Sequence, residues 1–260
     1  MRFKVVTRYE ELQLAIKVRT DYPCELHLIV KCCEKPDTVF TNRTAMVNGD
    51  YTFYVRMPLS PDVAEVIIYN EELGENGQDT FQLIGHKKMH LEKRLALIDF
   101  GNPYVRSFLS LCQKFCYNAG TLPVNKIYYS DDGYFAINYL PQIRDENGHI
   151  INTPARVSFD APYLEVSAAD FTNYTIPMRI ATLWHEFAHV YLNEDKHDES
   201  EADLNSLIIY LGLGYPRIEA HYVWADIFLQ NPTDENVERY KAIEAFIKDF
   251  ERKNFVSYEM

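Results

Sequence analysis

No C-x-x-C pair, no apolar run of membrane-spanning length and no excess of positive charge occur in this chain of 260 residues. Each absence removes a class of function. The five cysteines (Cys24, Cys32, Cys33, Cys112, Cys116) are odd in number and widely scattered, so they read as reduced thiols rather than a disulfide framework. Cys112 and Cys116 stand four apart on an expected helix, where buried packing is the ordinary role of thiols. Apolar runs fall short of the ~18 residues that a membrane helix requires, and no basic amphipathic segment suits a membrane surface. Lys and Arg number 26 against 38 Asp and Glu, a formal charge of −12. Such a chain repels a phosphate backbone on average, so neither nucleic acid nor membrane is an expected partner. Only 10 Gly and 12 Pro are present, too few for a collagen-like or low-complexity protein. The segment MRFKVVTRYEEL lacks both a continuous apolar core and a small-residue cleavage site, so the expected location is cytoplasmic.

What is present suffices for a folded core, because 47% of the residues are hydrophobic and burying them offsets the entropy of ordering. Residues 1–95 read as a β-sandwich module of Ig-like type. ELHLIVKC (Glu25–Cys32), YTFYVRM (Tyr51–Met57) and VAEVIIYN (Val63–Asn70) have strand character. Lys35-Pro36-Asp37, Asn48-Gly49-Asp50 and Ser60-Pro61-Asp62 read as turns between them. The polar run from Glu71 to Asp79 reads as a loop, and Phe81–Lys93 as a last strand or hairpin. Residues 96–260 read as a separate α+β domain. A helix opens at Asn102-Pro103 with Val105, Phe108, Leu111, Cys112 and Phe115 on one face, and Gly120 reads as its stop. Lys126–Ser130 and Tyr134–Leu140 flank the hairpin signal Asp131-Asp132-Gly133; Ala155–Phe159 and Tyr163–Ser167 follow as strands. The chain is expected to be helical from about Thr175 onward, ending in an amphipathic helix that carries Val237, Tyr240, Ile243, Phe246, Ile247 and Phe250.

The chemistry concentrates in TLWHEFAHVYLNEDKHDESEADLNSLIIYLGLG (Thr182–Gly214). His185 and His189 are four apart, so on a helix both imidazoles point the same way and can share one metal ion, with Glu186 beside the first. A third ligand is expected from Glu199-Ser200-Glu201-Ala202-Asp203, ten residues on, at the start of a second helix. Asp198 and Glu201 have the spacing of an N-cap and its reciprocal partner, which gives Glu201 a structural role and favours Glu199 as ligand, with Glu201 the alternative. Asp203 shares a face with Glu199 and is placed to hydrogen-bond a ligating histidine. His197 reads as a solvated turn residue, His86 and His90 as surface, and Trp184 and Trp224 as core.

H-E-F-A-H followed by E-S-E-A-D resembles the zincin metallopeptidases whose third ligand is a glutamate. It is most similar to the ImmA/IrrE-type group common in mobile elements and phages. The resemblance covers Ile176–Gly214. It implies a zincin-like domain, Zn2+ held by His185, His189 and Glu199, and Glu186 as general base. The module over residues 1–95 does not match that group's usual helix-turn-helix. The Tyr-, Asn- and Ile-rich texture is similar to proteins of tailed phages, which would place the chain in a host cytoplasm or a virion.

The expected activity is hydrolysis of a protein or peptide substrate. Zinc lowers the pKa of its water toward ~7, and Glu186 moves that proton to the leaving amine. Tyr163–Ser167 is the expected edge strand for an extended substrate, and His221 and Tyr222 are candidate donors to the oxyanion. The contrasting expectation is a structural or assembly protein, for example a virion or tail component, that keeps a zincin-like fold with little activity and binds protein partners through the N-terminal module.

Overall fold

Apolar and polar residues alternate from Leu12 to Thr20 and again from Leu26 to Cys32. In the computed structural model, which describes residues 1–230 and 232–254, both stretches belong to one strand. The architecture is α+β and falls into two units. The first comprises Met1–Glu92 with Gly214–Pro216; the second comprises Lys93–Leu213 and the chain from Arg217 onward.

The first unit holds five strands: β1 (Arg2–Val6), β2 (Leu12–Cys32), β3 (Val39–Met57), β4 (Val63–Asn70) and β5 (Phe81–His90). Their order is β1-β4-β2-β3, with β5 paired to β2. The first half of β2 lies between β3 and β5, and its second half lies between β3 and β4. The register shifts between Thr20 and Cys24, where Asp21, Tyr22 and Pro23 fall between the paired stretches. There the long hairpin bends. Arg43 donates to the Tyr54 carbonyl at 3.1 Å, although eleven residues of straight strand span about 36 Å. The Arg43 guanidinium also lies 5.9 Å from the Phe53 ring centroid. The two halves of the hairpin therefore face each other and enclose Leu14, Ile16, Val18, Leu26, Leu28, Val30, Val47 and Phe53, each wholly buried.

This arrangement corrects the expected Ig-like sandwich. All five strands belong to one hydrogen-bonded sheet folded on itself, not to two separate sheets. Asn48-Gly49-Asp50 is likewise no turn between strands. It lies inside β3 at the bend, with Gly49 paired to Thr20 and its amide bonded to the Thr20 hydroxyl at 3.2 Å. Gly49 has φ +77°, a region that costs a residue bearing a Cβ roughly 1–2 kcal/mol. Among the described residues no atom stands within 4 Å of a Cβ added there, so strain alone decides. Gly49→Ala should lower stability by about 1–2 kcal/mol in a urea unfolding series; an unchanged midpoint would remove the strain argument.

The second unit places a helical hairpin beside a small sheet. α1 (Pro103–Asn118) starts where Asn102 accepts the Tyr104 amide and Pro103 supplies a preset φ. It ends at Asn118, short of the expected Gly120. Strands β6 (Lys126–Tyr129), β7 (Ala136–Leu140), β8 (Ala155–Val157) and β9 (Tyr163–Ser167) follow in the order β6-β7-β9-β8. β7 and β9 are parallel and the other pairs antiparallel. Tyr163–Ser167 is thus enclosed between two strands, which corrects its expected place at the edge. The edges belong to β6 and β8; β8 lies outside β9 because the crossover from β7 runs past β9's slot before the chain returns.

The short helix α2 (Ala168–Phe171) leads to α3 (Ile176–Tyr191) and α4 (Glu199–Gly212). α3 begins at Thr175, whose hydroxyl accepts the Met178 amide, with Pro177 in the first turn. Its apolar side rests on a cluster of rings: Phe108 stands 5.2 Å from Trp184 and 4.6 Å from Phe187, and Phe135 stands 5.9 Å from Phe187. Trp184 is wholly buried, and a buried side chain of this kind contributes roughly 1.5–3 kcal/mol. Arg179, also wholly buried, donates to the carbonyls of Phe171 and Cys116 at 2.6 and 3.0 Å and ties α3 to α2 and α1. The chain ends in α5 (Arg217–Gln230) and α6 (Asp234–Asn254). α6 buries Ile243, Ile247 and Phe250, while Val237 is exposed. No described helix is long and apolar enough to cross a membrane.

Candidate metal centre

With its apolar side on the ring cluster, α3 turns His185, Glu186 and His189 toward a cavity of about 350 Å³. The opposite wall is apolar, formed by Val223, Trp224, Ile227 and Phe228 of α5, and β8 borders one side. Asp198 caps α4 by accepting the Glu201 amide at 2.9 Å. The first turn of α4 then carries Glu199 to the histidines.

His185, His189 and Glu199 form a cluster able to hold a metal ion. The two Nε2 atoms are 3.1 Å apart. Glu199 Oε2 lies 3.3 Å from His185 Nε2, and Glu199 Oε1 lies 3.5 Å from His189 Nε2. Bonds of ~2.0–2.1 Å at a tetrahedral ion separate neighbouring donors by about 3.3–3.4 Å, so the three spacings suit one small cation.

The outer face of each ring explains what the inner face offers. His189 Nδ1 lies 2.9 Å from the Lys196 carbonyl oxygen, which requires Nδ1 to carry the proton. His185 Nδ1 sits 3.0 Å from Asp203 Oδ1, a contact of charge rather than an aligned hydrogen bond. With its proton on Nδ1, His189 turns its Nε2 lone pair toward His185 and Glu199, and the Nε2 atoms of the two rings face the same spot.

Asp203 is almost wholly buried. It accepts the Trp224 Nε1–H at 2.8 Å and two donors of Arg239, from Nε at 2.8 Å and a terminal nitrogen at 3.2 Å. Burial pushes its carboxyl upward, but His185 and Arg239 outweigh burial and hold it below the ordinary value. His185 and Arg239 likewise lower Glu199 against burial. Burial lowers His189, with the neighbouring His185 adding to it. For His185 burial opposes protonation, yet Asp203 and Glu199 overcome it and raise the ring to about 10. Glu186 is raised to about 7, chiefly by burial.

Asp203 and Glu199 thus favour the protonated form of His185 near neutral pH. A divalent ion should expel about one proton as it binds, and affinity should rise with pH. A weakly buffered titration with a pH indicator reads the release. Stoichiometric uptake without protons would remove His185 from the ligand set.

Glu186 Oε2 accepts the Val157 amide of β8 at 2.8 Å. Ala155 and Val157 turn their backbone groups away from β9, because the hydrogen-bonded pairs alternate along the two strands. The edge strand itself therefore fixes this carboxylate.

Glu201, the alternative ligand, is engaged elsewhere: its carboxylate accepts the amides of Glu194 and Asp195 in the turn between α3 and α4, at 3.0 and 3.3 Å. His221 and Tyr222 do not line the cavity. His221 packs 6.2 Å from the Tyr240 ring and Tyr222 is exposed, which corrects their placement as oxyanion donors: α5 turns its Val223–Trp224 side to the site. His197 is exposed and lies against Phe159, at 4.8 Å between ring centroids. Trp224 is buried as expected of a core residue, but it also carries the hydrogen bond to Asp203.

Arg239 escaped the sequence reading. It lies on the same stripe of α6 as Ile243, Ile247 and Phe250. A charge among buried positions must be paired, and that was the available signal. No family model matches the chain, and neither curated proteins nor solved structures yield a relative.

Proposed function

We propose that the second unit is a zincin-like, zinc-dependent metallopeptidase. The convergence of two imidazole Nε2 atoms and the Glu199 carboxylate on one point, with Glu186 alongside, carries this reading. A zinc ion there supplies Lewis acidity toward a scissile carbonyl and lowers the pKa of water. His185, His189 and Glu199 would hold it. Glu186, anchored through Oε2 to Val157, has Oε1 to take a proton from the attacking water and return it to the leaving amine. The substrate's extended backbone would run along β8, where Ala155 N–H and Val157 C=O face outward, while the α5 wall excludes water.

The test is metal analysis of the purified chain together with digestion of unfolded casein. The expected result is one zinc per chain, cleavage abolished by a chelator and cleavage restored by zinc. A chain that holds one zinc and leaves casein intact would overturn the peptidase reading.

A further inference from the structure

We infer that the α5 wall of the cavity receives a bulky apolar side chain of the substrate, from a residue that flanks the scissile bond. The inference deepens the peptidase reading and rests on it. α5 turns two rows of side chains to the cavity, Val223 with Ile227 and Trp224 with Phe228, because residues four apart stand one above the other on a helix. His185, Glu186 and His189 line the same cavity, so a peptide bond held at Glu186 shares one space with this wall. A wall that served only to keep water away would pack against the site. Here about 350 Å³ stays open, and an apolar cavity of roughly 150 Å³ suffices to bind a benzene ring.

The polar groups of the lining decide what fits. The Trp224 Nε1–H donates to Asp203 at 2.8 Å, so the one polar atom of the indole is spent there. The Thr182 hydroxyl donates to the Met178 carbonyl at 3.1 Å, and that of Thr153 to the Ala155 carbonyl at 2.7 Å. Arg156 is held by Glu165 and the Arg144 carbonyl, at 2.6 and 3.1 Å. Arg239 is held by Asp203, at 2.8 and 3.2 Å. Glu199 belongs to the proposed metal set and Glu186 to proton transfer. An ionised substrate side chain entering here would shed its water and meet no uncommitted counter-charge in the described lining, which is costly. A bulky aliphatic or aromatic side chain gives up no hydrogen bond and removes apolar surface from water. Ile227 is the residue placed to set the preference. It is half-buried where Val223, Trp224 and Phe228 are buried, so it keeps surface for an occupant to cover, and its replacement disturbs the core least.

The test uses fluorescently labelled peptides in which one central residue, Leu, Phe, Ala, Asp or Lys, varies within a Gly/Ser host. Cleavage is followed on the zinc-loaded parent. Equilibrium binding is followed by anisotropy on Glu186→Gln, which lacks the base. The Leu and Phe peptides should exceed the Ala peptide about 10–200-fold in kcat/KM and bind in the same order, with Asp and Lys below Ala. Ile227→Glu should raise Lys above Leu. Ile227→Ala, a change the fold absorbs more easily, should favour Phe over Leu several-fold more than the parent does. Similar cleavage of all five peptides, or an order unchanged in both Ile227 variants, would overturn the inference and leave the peptidase reading standing. Ordered binding without cleavage would overturn the peptidase reading and retain the wall as a binding site. Neither binding nor cleavage would overturn both.

Discussion

Glu186→Gln should lower peptide hydrolysis by about 10²–10⁴-fold, the usual contribution of a general base, while one zinc per chain remains bound. The substitution is nearly isosteric. A glutamine oxygen can still accept the Val157 amide that Glu186 Oε2 accepts at 2.8 Å, so the side chain keeps its anchor. What disappears is the capacity to take a proton. Burial already raises this carboxyl to about 7, so the neutral amide removes a desolvation penalty and the variant should unfold no more readily than the parent. Metal content, melting temperature and casein digestion measured on one preparation separate the effects. A variant that cleaves as fast as the parent would remove Glu186 from the chemistry.

Asp203→Ala should be the most damaging change to the fold of the second unit, at about 3–5 kcal/mol, the range for breaking a buried ion pair from one side. It strands Arg239, which has two bonds to Asp203, and the Trp224 indole N–H. It also frees the His185 ring, whose Nδ1 lies 3.0 Å from the carboxylate, and metal affinity should fall about 10–100-fold as the ring loses its orienting partner. Asp203→Asn keeps the volume and an acceptor for Trp224 but lacks the charge, so its stability should lie between the two. Urea unfolding and chelator competition provide the measurements. A loss below about 1 kcal/mol for the alanine variant, within the range of ordinary substitutions, would show that Arg239 finds another partner and that the cluster does not hold α4 to α6.

The parts of the site that were legible lie within one stretch of chain. His185 and His189 converge because an α-helix brings every fourth residue to the same side, and Thr175 with Pro177 marks where that helix starts. The capping pair Asp198–Glu201 was readable for the same reason, and it leaves Glu199 to face the histidines. Its details were not readable: Glu201 grips the amides of Glu194 and Asp195 in the turn instead of returning to the cap. The oxyanion candidates failed because adjacent residues on α5 face different ways. Val223 and Trp224 line the cavity, while His221 and Tyr222 lie outside its lining.

The sheets show the same division. Alternation marked Glu25–Cys32 and Tyr51–Met57 as strands, since period two is a property of the strand itself, and β-branched apolar composition marked Val63–Asn70. Alternation says nothing of partners. That β2 continues through Thr20–Cys24, that Gly49 sits in a bend and not at a turn, and that β8 takes the edge while β9 is enclosed all depend on pairing between residues far apart in the chain.

From its residues alone this protein is committed to a helix with two histidines on one side, a capped acidic helix after it and a set of strands, because those patterns arise from interactions within a few positions. Tertiary structure decided which carboxylate faces the imidazoles, which strand holds Glu186 and that Arg239 completes the centre from the last described helix. Those outcomes are set by desolvation: buried charges must find partners wherever the fold brings them together, and sequence distance does not limit that choice.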